Sequence, residues 1–214
     1  MAENTGSTPP PEGPAPDFGA RRVLFAGTGS LGVMFMPMWL NWLRTAYPDI
    51  EVRTMLTRSA QRFVTRDALT AFAGGTVLQD VWPDEPEEGA THVELAQWPD
   101  AVVVHPATYN FVGRLAQGAA DTPLLLALQC TRAPIAVAPA LPPGGVESYG
   151  YRRHVAALAE RPNVTVVPPQ PGYSVTTGRP GATVATPLPA VIPVLERLRA
   201  RLATAPSPGE EKAR

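Results

Sequence analysis

Two polar side chains flank a short apolar segment, and their chemistry suits proton transfer and carboxylate binding. His92 precedes the apolar run Ala101–Val104, and Asn110 follows that run after a Pro-Ala-Thr-Tyr segment. The ordinary pKa of histidine lies near neutrality, so His92 is a candidate base, although a lone histidine is more often structural. The Asn110 amide can bind a ligand, or it can cap a helix that begins near Phe111. We expect His92 and Asn110 to reach one crevice.

Two strand-to-helix turns carry small and hydroxyl-bearing residues. Gly27-Thr28-Gly29-Ser30 follows the apolar run Arg22–Ala26, and Thr57-Arg58-Ser59-Ala60 follows Glu51–Leu56. Glycine lets a ligand approach the backbone, and free N–H groups beside a hydroxyl suit a phosphate. Such turns also occur as ordinary tight connections, and Ser59 can equally be a helix cap. The two turns are therefore a candidate phosphate site or plain connections.

The order of the segments predicts an α/β fold. Short apolar runs alternate with helical patterns and are joined by short connections. Strands are expected at Arg22–Ala26, Glu51–Leu56, Thr76–Leu78, Ala101–Val104, Pro134–Ala138 and Val164–Val167. Helices are expected within Leu31–Ala46, Gln61–Phe72, Phe111–Gln117, Pro123–Gln129, Tyr149–Glu160 and Pro189–Leu202. This alternation indicates a three-layer, doubly wound parallel sheet in a single domain.

Composition and charge argue against several classes of partner. The formal net charge is −1, which gives no electrostatic basis for binding nucleic acid or an anionic membrane. The most apolar stretch, Leu31–Leu43, is too short to cross a membrane. Three histidines and one cysteine, Cys130, argue against a dedicated metal site and exclude an internal disulfide. A single cysteine fits a reducing cytoplasm, where we expect the protein to be located.

The two ends of the chain differ in composition from the middle. Residues 1–19 are rich in proline and small polar residues, and 204–214 reads TAPSPGEEKAR. Such segments bury too little apolar surface to offset the entropy of ordering. We therefore expect disordered tails at 1–19 and 204–214 around one folded domain at 20–203.

A set of ordered motifs resembles the homo-oligomeric flavin-containing cysteine decarboxylases. The motifs are Gly27-Thr28-Gly29-Ser30 with Pro37, Thr57-x-Ser59-Ala60-x-x-Phe63, His92-x-x-Leu95-x-x-Trp98-x-Asp100, Pro106-Ala107-Thr108-Tyr109-Asn110 and Gly118-x-x-Asp121-x-x-Leu124-Leu125. That family includes phosphopantothenoylcysteine decarboxylase and the lanthipeptide decarboxylases of epidermin and mersacidin type. The resemblance extends over roughly residues 22 to 181 and implies a Rossmann-like or flavodoxin-like sheet.

The resemblance also implies roles for individual residues. The flavin would be bound by Gly27, Thr28, Gly29, Ser30, Thr57, Ser59, Pro106, Ala107, Thr108 and Tyr109, with Gly29, Ser30 and Ser59 at its phosphate. His92 would be the catalytic base, and Asn110 would be the asparagine of the family's Pro-Ala-Ser-Ala-Asn-Thr motif. The implied cofactor is FMN, with FAD as the alternative, and no metal is implied. The implied assembly is a homo-oligomer, a trimer or a dodecamer built from trimers.

The family reaction is an oxidative decarboxylation of cysteine. Oxidation at the Cβ–S bond gives a thioaldehyde and a reduced flavin. The thioaldehyde makes the carboxylate a leaving group, because the electrons released with CO2 delocalise onto sulfur. An enethiol remains, and the flavin supplies the redox chemistry.

Two departures from the family pattern concern the substrate. The family's Pro-x-Met-Asn-x-x-Met-Trp motif appears as Pro139-Ala140-Leu141-Pro142-Pro143-Gly144-Gly145-Val146. Gly172–Gly181 resembles the mobile substrate flap, but Thr176-Thr177-Gly178 stands where phosphopantothenoylcysteine decarboxylases carry a cysteine that helps to reduce the enethiol. Cys130 is distant in sequence from this flap, and we interpret it as a packed free thiol. The implied substrate contacts are Asn110, Pro139, Ala140, Leu141, Ser174, Thr176 and Thr177.

These features favour a peptidyl-cysteine decarboxylase. Its substrate would be the C-terminal cysteine of a ribosomal precursor peptide, and its product an aminoenethiol for aminovinyl-cysteine formation in lanthipeptide-type biosynthesis. Other peptide-modifying enzymes of the same pathway are expected partners. Two alternatives stay open, namely phosphopantothenoylcysteine decarboxylase of coenzyme A synthesis and a non-catalytic regulatory flavoprotein. The presence of both His92 and Asn110 argues against the regulatory alternative.

Overall fold

The structure is a computed structural model that describes residues 13–84, 89–174 and 178–204. Within these residues the chain forms a six-stranded sheet and a separate two-stranded hairpin. The sheet contains β1 (Arg22–Gly27), β2 (Glu51–Thr57), β3 (Val77–Asp80), β4 (Ala101–Thr108), β5 (Ile135–Ala140) and β6 (Val164–Val166). The antiparallel hairpin contains β7 (Gln170–Ser174) and β8 (Arg179–Val184).

Helices follow or precede every strand of the main sheet. They are α1 (Met36–Ala46), α2 (Arg66–Ala73), α3 (Thr91–Gln97), α4 (Tyr109–Ala116), α5 (Pro123–Cys130), α6 (Tyr149–Ala159) and α7 (Leu188–Thr204). Short 3₁₀ helices at Leu31–Phe35 and Ala60–Arg62 lie before α1 and α2. Among the described residues, none of these helices combines the length and apolar character needed to cross a bilayer.

The strand order creates a crevice at the centre of the sheet. The strands are all parallel and lie in the order β3-β2-β1-β4-β5-β6. The winding direction reverses between β1 and β4, so the loops that leave these two strands diverge. This arrangement confirms the predicted doubly wound sheet. It also places the Gly27–Ser30 turn beside the start of α4.

Two apolar clusters hold the helices against opposite faces of the sheet. In β1, Val23 and Phe25 belong to one cluster, whereas Leu24 and Ala26 belong to the other. This alternation follows from the two-residue period of a strand. Residues of α1, α2 and α7 complete the first cluster, and residues of α3, α4, α5 and α6 complete the second. The core is therefore divided by the sheet, as a three-layer fold requires.

The region after β2 differs from the expectation of one helix over Gln61–Phe72. The chain instead forms the short 3₁₀ turn, and α2 begins only at Arg66. The hydroxyl oxygen of Thr65 accepts a hydrogen bond from the Ala68 N–H at 3.1 Å and caps α2. Ser59 makes no capping hydrogen bond, so its alternative role as a helix cap is wrong.

The boundary of the folded unit lies earlier than residue 20. Tyr47 donates a hydrogen bond to the Pro16 carbonyl at 2.7 Å, and the Phe18 ring packs edge-on against Tyr47. The Gly19 N–H donates to a Glu196 carboxylate oxygen at 3.1 Å. The anchoring side chains lie far along the chain, so composition alone does not reveal these contacts. Residues 1–12 and 205–214 of the two expected tails lie outside the described residues.

A buried histidine fastens the segment after the hairpin to the sheet. His105 of β4 packs near Phe25 and Trp39, and its Nε2 lies 2.9 Å from the Thr186 carbonyl oxygen. Burial lowers the pKa of His105 to about 4. The ring is therefore neutral near pH 7, with the Nε2 proton donated to Thr186. Its Nδ1 has no hydrogen-bond partner among the described residues, so a second proton there would be unsolvated.

We predict that this histidine makes folding stability fall as the pH is lowered. In the unfolded chain His105 takes up a proton near its ordinary pKa of 6.5, whereas in the folded chain it does so only near pH 4. Between these two pH values the unfolded state binds more protons than the folded state. The stability that the neutral His105 contributes is therefore lost as the pH falls. Thermal unfolding midpoints measured from pH 7 to pH 4 should decline less steeply in His105→Gln than in the wild type. His154→Gln is the control and should follow the wild type. An equal decline of the midpoint with pH in His105→Gln and in the wild type would contradict the role of His105.

Candidate active site

A cavity of about 780 Å³ opens at the point where β1 and β4 end. Its wall is formed by the turn after β1 with the following 3₁₀ helix, the start of α4, the end of β5 and the hairpin. The cavity is mainly apolar, with polar side chains concentrated at the ends of the strands. Its volume and mixed lining are typical of a site for a small molecule or cofactor.

Thr28 ties the loops after β1 and β4 together beneath this cavity. Its backbone N–H and its hydroxyl both donate to the Pro106 carbonyl oxygen, at 3.1 and 2.8 Å. The Thr108 N–H donates to the Thr28 hydroxyl oxygen at 2.7 Å. Thr28 is 1% exposed, so its hydroxyl is used entirely inside the protein. Its position explains why the two loops keep a fixed spacing.

The turns after β1 and β2 are also in direct contact. A Cβ atom added at Gly29 would lie 2.4 Å from the Ser59 hydroxyl oxygen and 2.6 Å from the Ser59 Cβ. The Ser59 hydroxyl lies 3.3 Å from that of Thr57. Ser30 lines the cavity on the same side. Backbone and hydroxyl groups from two strand ends therefore meet, an arrangement that suits a phosphate group.

Asn110 is available to a ligand because another residue caps α4. The Thr108 hydroxyl oxygen accepts a hydrogen bond from the Phe111 N–H at 3.2 Å, which is the N-cap interaction of this helix. The proposed capping role of Asn110 is therefore wrong. Asn110 lies in the first turn of α4 with an exposed side chain, and it lines the cavity.

His92 lies in a different cavity of the same chain. It is half-buried at the start of α3, with its ring edge-on to Trp82 at 5.5 Å between centroids. The cavity around it, about 660 Å³, runs between α3 and α5 and is also lined by Cys130 and Arg132. It shares no lining residue with the cavity around Asn110. The structure therefore does not bring His92 and Asn110 together within one chain.

The packing of α5 explains this separation. Helix α5 contacts both α3 and α4, so it lies between the helix that carries His92 and the helix that carries Asn110. The Asp80 carboxylate accepts a hydrogen bond from the Leu124 N–H at 2.9 Å and holds the start of α5 in place. Burial raises the pKa of Asp80. Cys130 at the end of α5 is exposed, so its interpretation as a packed thiol is wrong.

The other predicted residues fall into three groups. Those that line the first cavity are Gly29, Ser30, Thr108, Tyr109, Asn110, Ala140, Leu141 and Ser174. Those that are buried beneath its surface are Gly27, Thr28, Pro106, Ala107 and Pro139. Thr57 and Ser59 lie beside it, and Thr176 and Thr177 are outside the described residues. The predicted cofactor residues thus include a supporting layer as well as the cavity wall.

Several cavity residues were not predicted from the sequence. Met34 and Phe35 line the cavity from the 3₁₀ turn that precedes α1. Residues 182–185 line it because β8 folds over the strand ends. Gly32 could have been predicted as a site residue, because Gly27, Gly29 and Gly32 form a Gly-x-Gly-x-x-Gly motif after a strand.

Comparison with known protein families identifies the class of protein that this fold and site define. The Flavoprotein family matches residues 15–189, and the chain belongs to this family. This assignment confirms the resemblance found in the sequence motifs.

Two proteins of known activity are similar in sequence to this chain. A Streptomyces cypemycin cysteine dehydrogenase (decarboxylating) is 39% identical over 143 residues, covering 66% of this chain and 73% of that protein. The bifunctional coenzyme A biosynthesis protein CoaBC of Haemophilus influenzae is 35% identical over 121 residues, covering 56% of this chain. This match spans only 30% of the length of that CoaBC protein.

Solved structures share the fold over nearly their whole length. The cypemycin decarboxylase CypD superposes with a TM-score of 0.73 and 30% identity, covering 89% of this chain and 99% of that chain. The FMN-dependent cysteine decarboxylase TvaF from thioviridamide biosynthesis superposes with a TM-score of 0.67 and 30% identity. That superposition covers 85% of this chain and 99% of TvaF.

We predict that Gly29→Ala disrupts the contact between the two turns and weakens flavin retention. The added methyl group cannot fit beside Ser59 without moving backbone or side chain, and overpacking of this kind costs about 1–3 kcal/mol. The purified variant should show a lower ratio of flavin to protein absorbance than the wild type. Gly75→Ala is the matched control, because no atom lies within 4 Å of a Cβ at Gly75. Equal flavin content in all three proteins would contradict the prediction.

Proposed function

We propose that the protein is an FMN-dependent peptidyl-cysteine decarboxylase. It converts the C-terminal cysteine of a ribosomal precursor peptide to an aminoenethiol, with loss of CO2 and two hydrogens. The observation that carries this proposal is the exposed Asn110 amide at the strand-end cavity of a Flavoprotein-family fold. The similarity to cypemycin cysteine dehydrogenase and to the CypD and TvaF structures supports the peptide substrate and FMN.

The described residues fit a flavin nucleotide. The Gly29–Ser30 turn and Ser59 supply small and hydroxyl-bearing groups for its phosphate, and no acidic side chain lines the cavity among the described residues. Met34, Phe35 and other apolar groups supply a surface for a planar ring. A bound flavin would supply the oxidant for the two electrons that the cysteine loses, and an external oxidant such as O2 would reoxidise it.

The protein residues would bind the cysteine and move its protons. The Asn110 amide N–H can donate to the substrate carboxylate and hold it in the cavity until CO2 leaves. The loss of CO2 needs no protein base, because the electrons pass into the C=S group. His92 is the candidate base for the proton removed during oxidation of the Cβ–S bond. The apolar wall excludes water from the thioaldehyde before it loses CO2.

We also propose that the complete site forms between copies of the chain. His92 and Asn110 line separate cavities of one chain, although the proposed reaction needs both. Large apolar side chains are exposed next to each cavity, including Leu31 and Met34 at the first and Val93 at the second. Packing of one copy on another would cover these side chains and bring His92 of one chain to Asn110 of the next.

Phosphopantothenoylcysteine decarboxylation is the second candidate function, and the match to CoaBC favours it. In that reaction the two electrons held by the reduced flavin would return to the enethiol and give a thiol, a step that the flap cysteine of phosphopantothenoylcysteine decarboxylases assists. The sequence from 170 to 184 contains no cysteine, and the single cysteine, Cys130, lines the His92 cavity instead. We therefore place this function second.

We predict that the purified flavoprotein removes CO2 and two hydrogens from a synthetic peptide ending in cysteine. Mass spectrometry of the product distinguishes this oxidative loss from the simple loss of CO2 expected with phosphopantothenoylcysteine. His92→Asn should abolish the reaction while flavin stays bound, because the imidazole supplies only the proton transfer. Simple CO2 loss from phosphopantothenoylcysteine, without reaction of the peptide, would instead establish the second candidate.

A complementation experiment tests the shared site. His92→Asn and Asn110→Ala are each expected to be inactive alone. Co-expressed, the two variants should recover about a quarter of wild-type activity, because about a quarter of randomly formed interfaces pair an intact His92 with an intact Asn110. If both residues acted from the same chain, every site would carry one defect and activity would stay absent. Recovery measured by product mass spectrometry therefore decides between the two arrangements.

A further inference from the structure

Tyr109 occupies the place of an alanine in the family's Pro-Ala-Ser-Ala-Asn-Thr motif. Its ring packs against two side chains of α6, with centroid distances of 6.2 Å to Tyr151 and 6.2 Å to His154. Its hydroxyl oxygen lies 3.1 Å from the hydroxyl oxygen of Ser148, the N-cap residue of α6. An alanine could make none of these contacts. The start of α4 is therefore fastened to the end of the loop that follows β5.

The hydrogen bonds of Ser148 fix the direction of its bond with Tyr109. The Ser148 hydroxyl donates its proton to the Gly145 carbonyl oxygen at 2.8 Å, and its oxygen accepts from the Tyr151 N–H at 3.2 Å. With its only proton used, Ser148 accepts from Tyr109. The Gly145 N–H in turn donates to the Pro142 carbonyl oxygen at 2.9 Å. The Tyr109 hydroxyl thus begins a series of hydrogen bonds that extends through Ser148 and Gly145 to Pro142 at the cavity wall.

The other end of this loop is held by the hairpin. Leu141 and Thr183 exchange two backbone hydrogen bonds, at 3.1 and 3.0 Å. Leu141 and Pro142 line the cavity that contains Asn110. The loop 141–148 is therefore a cavity wall held at one end by β8 and at the other by Tyr109. It lacks the asparagine, second methionine and tryptophan of the family motif, and it is held in place by these two anchors together with Val146, which packs against the second apolar cluster.

Gly150 shows that the chain is adapted to the Tyr109 hydroxyl. A Cβ atom at Gly150 would lie 2.5 Å from the Tyr109 hydroxyl oxygen, and the next nearest atom is the Tyr109 Cζ at 3.7 Å. A methyl group would therefore collide with the hydroxyl alone. With phenylalanine at position 109, the same methyl group would make an ordinary contact.

We propose that Tyr109 is a positioning residue that determines peptide specificity. Its hydroxyl places the loop 141–148 against the part of the peptide that precedes the C-terminal cysteine, and it replaces the support that the missing motif side chains would give. This inference rests on the proposed peptide decarboxylase function. Asn110 and the strand-end turns act on the cysteine and the flavin, whereas the loop acts on the preceding residues.

The test compares two peptides that end in the same residues, a short one and one extended at its N-terminus. The holoenzymes are wild type, Tyr109→Phe, Gly150→Ala, the double variant and Tyr149→Phe. Loss of the hydroxyl should raise KM for the extended peptide about five- to tenfold and for the short peptide less than about twofold. Gly150→Ala should have the same effect, and the double variant should be no worse than Tyr109→Phe. Tyr149, which is 74% exposed, is the matched control and should behave as wild type.

Several results would overturn this inference. An equal rise in KM for both peptides, or reduced flavin content in Tyr109→Phe, would show that Tyr109 serves the flavin or the fold in general. Unchanged kinetics would show that the loop does not depend on the hydroxyl. If no protein, wild type included, converts either peptide, the proposed function fails instead. Hydrogen exchange of residues 144–151 then decides: it should accelerate in Tyr109→Phe and Gly150→Ala but not in Tyr149→Phe, and unchanged exchange contradicts the proposal.

Discussion

The bonds around Thr28 are the constraint on which the rest of the site depends. In a doubly wound sheet, backbone hydrogen bonds pair β1 with β4, but the loops that follow these two strands diverge. Thr28 closes that gap with bonds to the Pro106 carbonyl and the Thr108 N–H. Thr108 also caps α4. The buried Thr28 side chain therefore positions the first turn of α4 and, with it, Asn110 at the cavity. A buried threonine can therefore influence where a ligand binds.

The fold was predictable because buried parallel strands leave a strong record in sequence. The runs at Ala101–Val104 and Pro134–Ala138 are apolar on both faces, and the structure places both in central strands. The short break before α2 was less visible, since Thr65 caps that helix inside a stretch with helical character. Helix α3 was not among the helices expected from the sequence, because its seven residues give a weak periodic signal.

Many residues of the candidate site could be identified from motif spacing, but their arrangement could be predicted only in part. Motif spacing identified Ser30, Thr108 and Asn110, which line one cavity. Motif spacing could not distinguish the residues that line the cavity from the buried residues beneath them, because burial depends on contacts between distant segments. Sequence spacing also suggested that His92 and Asn110 share a crevice. The intervening helix α5 separates their cavities, and its path depends on the hydrogen bond between Asp80 and Leu124.

The contact between Gly29 and Ser59 has a consequence for the evolution of this chain. No side chain larger than hydrogen fits at position 29 while a serine occupies position 59. Residue 29 could become larger only after position 59 had lost its whole side chain, because the Ser59 Cβ itself would lie 2.6 Å from an added Cβ, and that first step removes a hydroxyl from the cluster beside Thr57. The two positions lie 30 residues apart in sequence, yet position 29 is not free to change before position 59. A homologue with a side chain at position 29 is therefore expected to carry a glycine at position 59.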